Sequence, residues 1–562
     1  MTFSKGTALV AVSLTLGGCN NILDLQDPAA VNETQVWNDS ALADAYVNRV
    51  YADNLPGWTT GDATTSDESP GGTDQLYGQL TASSVDYWPY GPIRRINILL
   101  ANIDHGTLDT ARTTRIKGEA YFFRAWRYWE MVKRYGGVPL ALVAQNLTDS
   151  LDLPRSPTSV CMTQILSDLD QAIALLPQIS VGAGNDGHVH KGTALALKGR
   201  VLLYYASPQF NRPTPDMQRW QTAYDANLAA RDSLAHHGFG LYPSFEQLWF
   251  VDMNPEAIFV RRYSYPVSTH NWQAATRPLD ESQNATGANR PTWQMVKAFP
   301  MKNGRPITDG TSSPAYDSVY FWKNRDPRFY ATIAYNGAVW ALSGKTGRRE
   351  WTYVGGEINN PTPTGFYTRK AVDPSLDPFG AGNASTQWIE IRYAEVLLNL
   401  AEAANAIGHT QEAYDQLKLL RARAGIDPGA DGLYGLDAGL AGDQMQAAIM
   451  LERRIEFAFE AKRYWDLRRN MRFEPELNGT RRFALKTTVT VPAAQFKLVR
   501  DTVNLDSTYQ NYFQSQVDTL DRLSTINWQL NYYFFGIPQG HIDLNSNIKQ
   551  SVGWGGTFDP LQ

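Results

Sequence analysis

Apolar residues recur at helical spacing in many separate blocks along this chain. Leu42, Tyr46, Val47, Val50 and Tyr51 fall on one face of a helix that Asp39 or Ser40 can cap. Ile93, Ile96, Leu99, Leu100 and Ile103 form a second stripe. A third helix is predicted from about Thr110 to Tyr135, stopped by Gly136-Gly137 with Pro139 beyond. The pattern returns over residues 161–176, 194–201 and 220–234, then resumes at 394–401, 413–424 and 451–462. The last block puts Leu451, Ile455, Ala458, Phe459 and Lys462 on one face of a long helix. Amphipathic helices in series with short breaks predict a mainly α fold, a tetratricopeptide-like helical repeat scaffold without a strict period of about 34 residues.

Two intervals break this pattern. Residues 241–387 are rich in aromatics, Gly, Pro and Asn, which predicts an irregular insertion of loops and short strands. A second loop covers residues 55–92. Long irregular segments inside compact domains are commonly functional, so these two are where a site is expected. The organisation that follows is a leader (1–18), a tether (19–38), an N-terminal helical scaffold (39–240), the insertion (241–387) and a C-terminal helical scaffold with a tail (388–562). In the leader, Lys5 precedes an apolar run at 7–16 that is too short to span a bilayer. The run ends in Leu16-Gly17-Gly18-Cys19, which resembles a bacterial lipobox and makes Cys19 the expected lipid carrier.

Charge and composition narrow the function. Lys and Arg number 51 against 56 Asp and Glu, a net charge of −5, so there is no basic excess for nucleic acid. The 2 cysteines form neither a disulfide framework nor a zinc motif. The 16 tryptophans, 28 tyrosines and 22 phenylalanines must be core or binding surface. Gly182-Ala183-Gly184-Asn185-Asp186-Gly187 fits a dinucleotide pattern but follows a helix instead of a strand. Ser343-Gly344-Lys345-Thr346 lacks the phosphate-loop glycine, since position 339 is Val339. No cofactor is expected. His188 and His190 have no evident third partner, so a polar turn is preferred over a metal site. Phe122, Phe123, Trp126, Tyr128 and Trp129 surround a helix axis and are read as core. The charged run from Glu452 to Arg469 is read as ion pairing at helical spacing. Asp67-Glu68 is the carboxylate pair that a glycoside hydrolase would have to use.

Several blocks in fixed order resemble the SusD/RagB family of outer-membrane nutrient-uptake lipoproteins. They are the lipobox at Cys19, Trp88-Pro89-Tyr90-Gly91-Pro92, the block from Lys117-Gly118-Glu119-Ala120 to Gly136-Gly137-Val138-Pro139, and Asn324-Arg325-Asp326-Pro327-Arg328-Phe329. Ile391-Arg392-Tyr393-Ala394-Glu395, the charged run, and the tail Ile537-Pro538-Gln539-Gly540 complete the series. The resemblance implies a lipid-anchored surface protein that binds without catalysis and partners a SusC-like TonB-dependent transporter. It implies a glycan ligand, with an oligopeptide as the alternative; hydrolysis through Asp67 or Glu68, which the resemblance does not imply, is the expectation from a different class. Trp58, Tyr77, Asn271, Trp272 and Trp340 are expected to line the ligand surface, because each lies in a segment without helical period. Asp67 is expected to accept ligand hydroxyls.

Overall fold

The computed structural model describes residues 33–71, 74–146, 148–149, 152–182, 187–283, 287–354 and 362–562. Cys19, the leader before it, most of the tether and positions 183–186 of the glycine-rich motif lie outside the described residues.

Helix α1 (Ser40–Asn54) begins where the Asp39 carboxylate accepts from the backbone N–H groups of Ala41 and Leu42 at 2.8 and 3.1 Å. That satisfies two of the donors a helix start leaves orphaned. α2 (Tyr90–Asn102) buries Ile93, Ile96 and Leu99. α3 (Thr110–Tyr135) ends at Gly136, whose φ of 75° suits glycine and disfavours a side chain. Phe122, Phe123, Tyr128 and Trp129 are all buried, so this helix, aromatic nearly all round, runs through the core. α4 (Thr158–Leu175), α5 (Lys191–Ala206) and α6 (Met217–His236) follow, with α3 packed on α4 and α5 on both α4 and α6. His190 caps α5, its ring accepting from the Gly192 N–H at 3.2 Å, as expected of a polar turn.

The insertion leaves and rejoins the scaffold through one antiparallel pair, β1 (Ala257–Arg261) with β2 (Trp388–Arg392). Between them lie short helices and a two-residue strand pair, Ile333–Ala334 with Tyr367–Thr368. α7 (Tyr393–Ala406) grows directly out of β2 and packs against α6, α8 (Thr410–Ala424) and α9 (Gly442–Glu456). The result is the mainly α, tetratricopeptide-like scaffold. Among the described residues no helix is long and apolar enough to cross a membrane.

Two features depart from expectation. The last long helix stops at Glu456, and Phe459 and Ala461 take φ of 61° and 58° before α10 (Arg463–Arg469) begins. Buried cations end it: Arg392 donates to the Glu456 carbonyl at 2.7 Å, and Lys370 donates to the carbonyls of Glu456 and Ala458 at 2.8 and 3.1 Å. These groups would otherwise be orphaned at a buried helix end. The second departure is the hairpin β3 (Phe483–Val489) with β4 (Phe513–Thr519), inside the tail read as helical scaffold. Its strands read Phe-Ala-Leu-Lys-Thr-Thr-Val and Phe-Gln-Ser-Gln-Val-Asp-Thr, in which apolar residues do not keep a period of two.

The charged run does pair, but mostly over long range. Glu452 binds Arg328 and Arg421, and Glu456 binds Arg328, Arg392 and Arg423. Arg469 reaches Glu402 at 2.6 Å. Only Arg469 with Asp466 follows the predicted helical spacing there, at 2.8 Å.

Candidate ligand-binding cleft

Where α1 ends, residues 54–62 arch over a cleft of about 300 Å³, the size of a small-ligand site. α3 forms one wall, and β2 with the turn leading into α10 forms the other. On α3 a polar stripe of Arg127, Glu130 and Arg134 interrupts the aromatic core pattern, with Lys133 beside it.

Each of these groups is held in place. Arg127 Nε donates to Asn54 Oδ1 at 2.6 Å, and its other nitrogens donate to the Tyr87 hydroxyl and the Asp53 carbonyl. Glu130 pairs with Arg134 at 2.7 Å and with Lys133. Burial pulls the Lys133 ammonium down to about 8, although Glu130 supports its charge. The Arg134 guanidinium lies 4.3 Å from the centroid of the half-buried Tyr87 ring and 5.0 Å from that of the half-buried Trp465, over which the Lys133 ammonium also sits at 4.0 Å. Across the cleft Arg200 pairs with Glu390 and Glu395 at 2.6 Å each, and Lys462 with Glu390 at 3.1 Å.

The cleft therefore offers oriented donors and acceptors beside aromatic faces, which suits a polar ligand of one or two rings. Among the described residues no serine, histidine or cysteine lines it, and Glu130 and Glu390 are ion-paired. That arrangement can bind and orient a polar ligand.

The structure brings Trp58, Asn271 and Trp272 together beside this cleft. Trp58 is half-buried, stacks on Trp272 at 4.9 Å and on His270 at 5.3 Å, and donates through its indole to the Thr386 carbonyl at 2.9 Å. It also meets Trp388, a cleft residue, edge-on at 4.9 Å. Asn271, one residue before Trp272, is exposed. Trp272 is only 2% exposed and lies packed against Trp58, so it props the loop and presents no face to a ligand.

Three expected ligand residues stand elsewhere. Trp340 is 1% exposed in a separate cluster with Leu342, Tyr367 and Val372. The Tyr77 hydroxyl donates to Asp521 at 2.6 Å and accepts from Arg482 at 2.7 Å, which pins the first loop to the hairpin region. Asp67 is buried, paired with Arg454 at 2.8 Å and Arg463 at 3.0 Å. Burial alone would raise its pKa, but the charges of Arg454 and Arg463 outweigh it and hold the carboxyl well below the usual carboxylate range. Glu68 beside it is pushed up to about 7 by burial and by Asp67, and accepts from the Phe459 N–H at 3.2 Å. Both carboxyls are buried and held by protein partners, so the hydroxyl-acceptor role of Asp67 and hydrolysis through this pair give way to anchoring of the loop on the turn between α9 and α10.

The α3 residues and Trp465 were missed because Phe122 to Trp129 and the charged run read as structure. The available signal was the spacing of Arg127, Glu130 and Arg134, a polar stripe at offsets of three and four on an otherwise apolar helix.

Known proteins resemble this chain over nearly its whole length. The model of the SusD family matches residues 255–554, and one described as starch-binding, associating with the outer membrane, matches 24–203. SusD-like protein P38 of Formosa agariphila is 24% identical over 496 residues, 82% of this chain and 90% of that protein. The crystal structure of a SusD-like protein from Bacteroides fragilis is similar with a TM-score of 0.75 at 26% identity, covering 93% of this chain and 98% of the other. A SusD-like carbohydrate-binding protein from the same organism gives 0.71 at 21%, over 91% and 99%.

Proposed function

This chain belongs to the SusD family, and from that premise we propose that it is a glycan-binding protein of the outer membrane whose ligand enters the cleft beneath residues 54–62. The observation that carries the reading is the cleft itself, where fixed charged hydrogen-bonding groups stand beside the half-buried rings of Tyr87 and Trp465. Sugars need both: their C–H faces pack on rings and their hydroxyls require oriented partners. The starch-binding description of the family model over residues 24–203 supports the same class.

Binding without catalysis fits a cleft in which Glu130, Glu390 and Glu460 are committed to ion pairs. Delivery to a SusC-like TonB-dependent transporter, and anchoring through lipid on Cys19, complete the proposal and rest on family membership and on the Gly17-Gly18-Cys19 sequence. Recovery of a large β-barrel from solubilised outer membranes with this protein as bait is the result expected of delivery.

A thermal-shift panel of oligosaccharides and oligopeptides tests the ligand class, since a ligand at 100 times its Kd stabilises the folded state by about 2.7 kcal/mol. Stabilisation by glycans with no new reducing ends is expected. Stabilisation by peptides alone would move the assignment to peptide capture, and new reducing ends would make the protein an enzyme.

A further inference from the structure

The charges in the cleft do not balance one by one. Glu130 is matched by Lys133 and Arg134, and Glu390 by Arg200 and Lys462. Glu460 is matched by Lys370 and Arg392 at 2.5 and 2.9 Å. Asp62 stands exposed at the mouth, where the Thr59 hydroxyl donates to it at 2.6 Å. Arg127 is different: among the described residues no carboxylate lies within ion-pair reach of it, and its three partners are the neutral oxygens of Asn54, Tyr87 and Asp53. The two positive charges shared by Lys133 and Arg134 also exceed the single charge of Glu130. The α3 wall thus carries a positive excess where the cleft is partly desolvated.

A guanidinium has five N–H donors in a rigid fork, and three neutral acceptors leave donors over while fixing its orientation. An anion that arrives meets a side chain already immobilised, so it does not have to order that side chain on binding. Resting on the glycan reading above, we propose that Arg127 receives an anionic substituent of the ligand, a carboxylate or sulfate ester carried by the sugar, so that the protein is selective for acidic glycans.

The test titrates the full chain by calorimetry with three probe sets: oligogalacturonates, the same oligomers as neutral methyl esters, and sulfated galacto-oligosaccharides. Neutral malto- and cello-oligosaccharides complete the panel. The expected result is binding of at least one acidic set, weakened roughly tenfold to a hundredfold by removal of the charge, the range of a hydrogen bond to a charged group. The carboxylate and sulfate sets show which anion is preferred. Arg127→Gln should lose that discrimination while still melting cooperatively, and Arg127→Lys should regain only part of it. If Arg127→Gln does not fold, the ester comparison and the salt dependence of the wild-type protein decide the matter alone. Neutral glycans bound as tightly as acidic ones, by wild type and Arg127→Gln alike, would overturn this inference and leave glycan binding standing. Failure of every glycan in the panel would remove both.

Discussion

Glu456→Gln is expected to lower the unfolding free energy by about 3–5 kcal/mol, the cost of removing one partner from a buried ion pair. Glu456 accepts from Arg392 at 2.6 Å, from Arg328 at 2.8 Å and from Arg423, and the side chains of all four residues are at most 4% exposed. Glutamine keeps the shape but leaves this buried network one negative charge short, although Arg328, Arg392 and Arg423 each keep another carboxylate partner. The same network sets the acid limb of stability. Burial alone would raise the pKa of Glu456, but Arg423, Arg392 and Arg328 overcome it and hold the carboxyl well below the ordinary value of 4.5; Glu452 is lowered likewise by Arg328 and Arg421. Carboxyls with depressed folded values contribute stability that is present above the unfolded value and lost as pH falls through the folded one. Urea midpoints should therefore fall from pH 7 toward pH 3 in the wild type, and fall less in Glu456→Gln. An unchanged midpoint in the variant at pH 7 would show that the network makes no net contribution.

Trp272→Ala should cost about 3–5 kcal/mol, the usual range for truncating a buried aromatic side chain. Trp272 joins Trp293 and Phe366 in the second hydrophobic core and carries the stacked ring of Trp58. Its removal leaves a cavity under the loop that roofs the cleft, so a fall in the urea midpoint is expected to come first and weaker ligand binding to follow from it. A variant that melts normally yet fails to bind would return Trp272 to the ligand surface.

Most of the scaffold was legible because helix signals are local. Asp39, the apolar stripe of α1 and the Gly136 stop each act within a turn or two of their own position, and α3 begins and ends where its sequence predicts. The site was far less legible. A tryptophan between Gly57 and Thr59 reads the same whether it faces a ligand or packs on Trp272, because the difference is made by residues more than two hundred positions away. Asp67 reads as available from sequence because its partners, Arg454 and Arg463, lie in a distant run rich enough in both charges to pair within itself. The groups that do line the cleft were hidden for the opposite reason: Arg127 and Arg134 are embedded in a helix whose other faces are core.

The central claim, that the cleft between α3 and the turn into α10 is where the glycan binds, is tested most directly by calorimetric titration of Trp465→Ala with the best oligosaccharide from the panel. Trp465 lines the cleft, is half-buried and holds no place in the stacked cluster around Trp58. With ring contacts worth about 0.5–1.5 kcal/mol beyond burial, the variant should bind up to roughly tenfold more weakly while its melting transition stays cooperative. Affinity equal to that of the wild type, with the fold intact, would place the ligand somewhere other than this cleft.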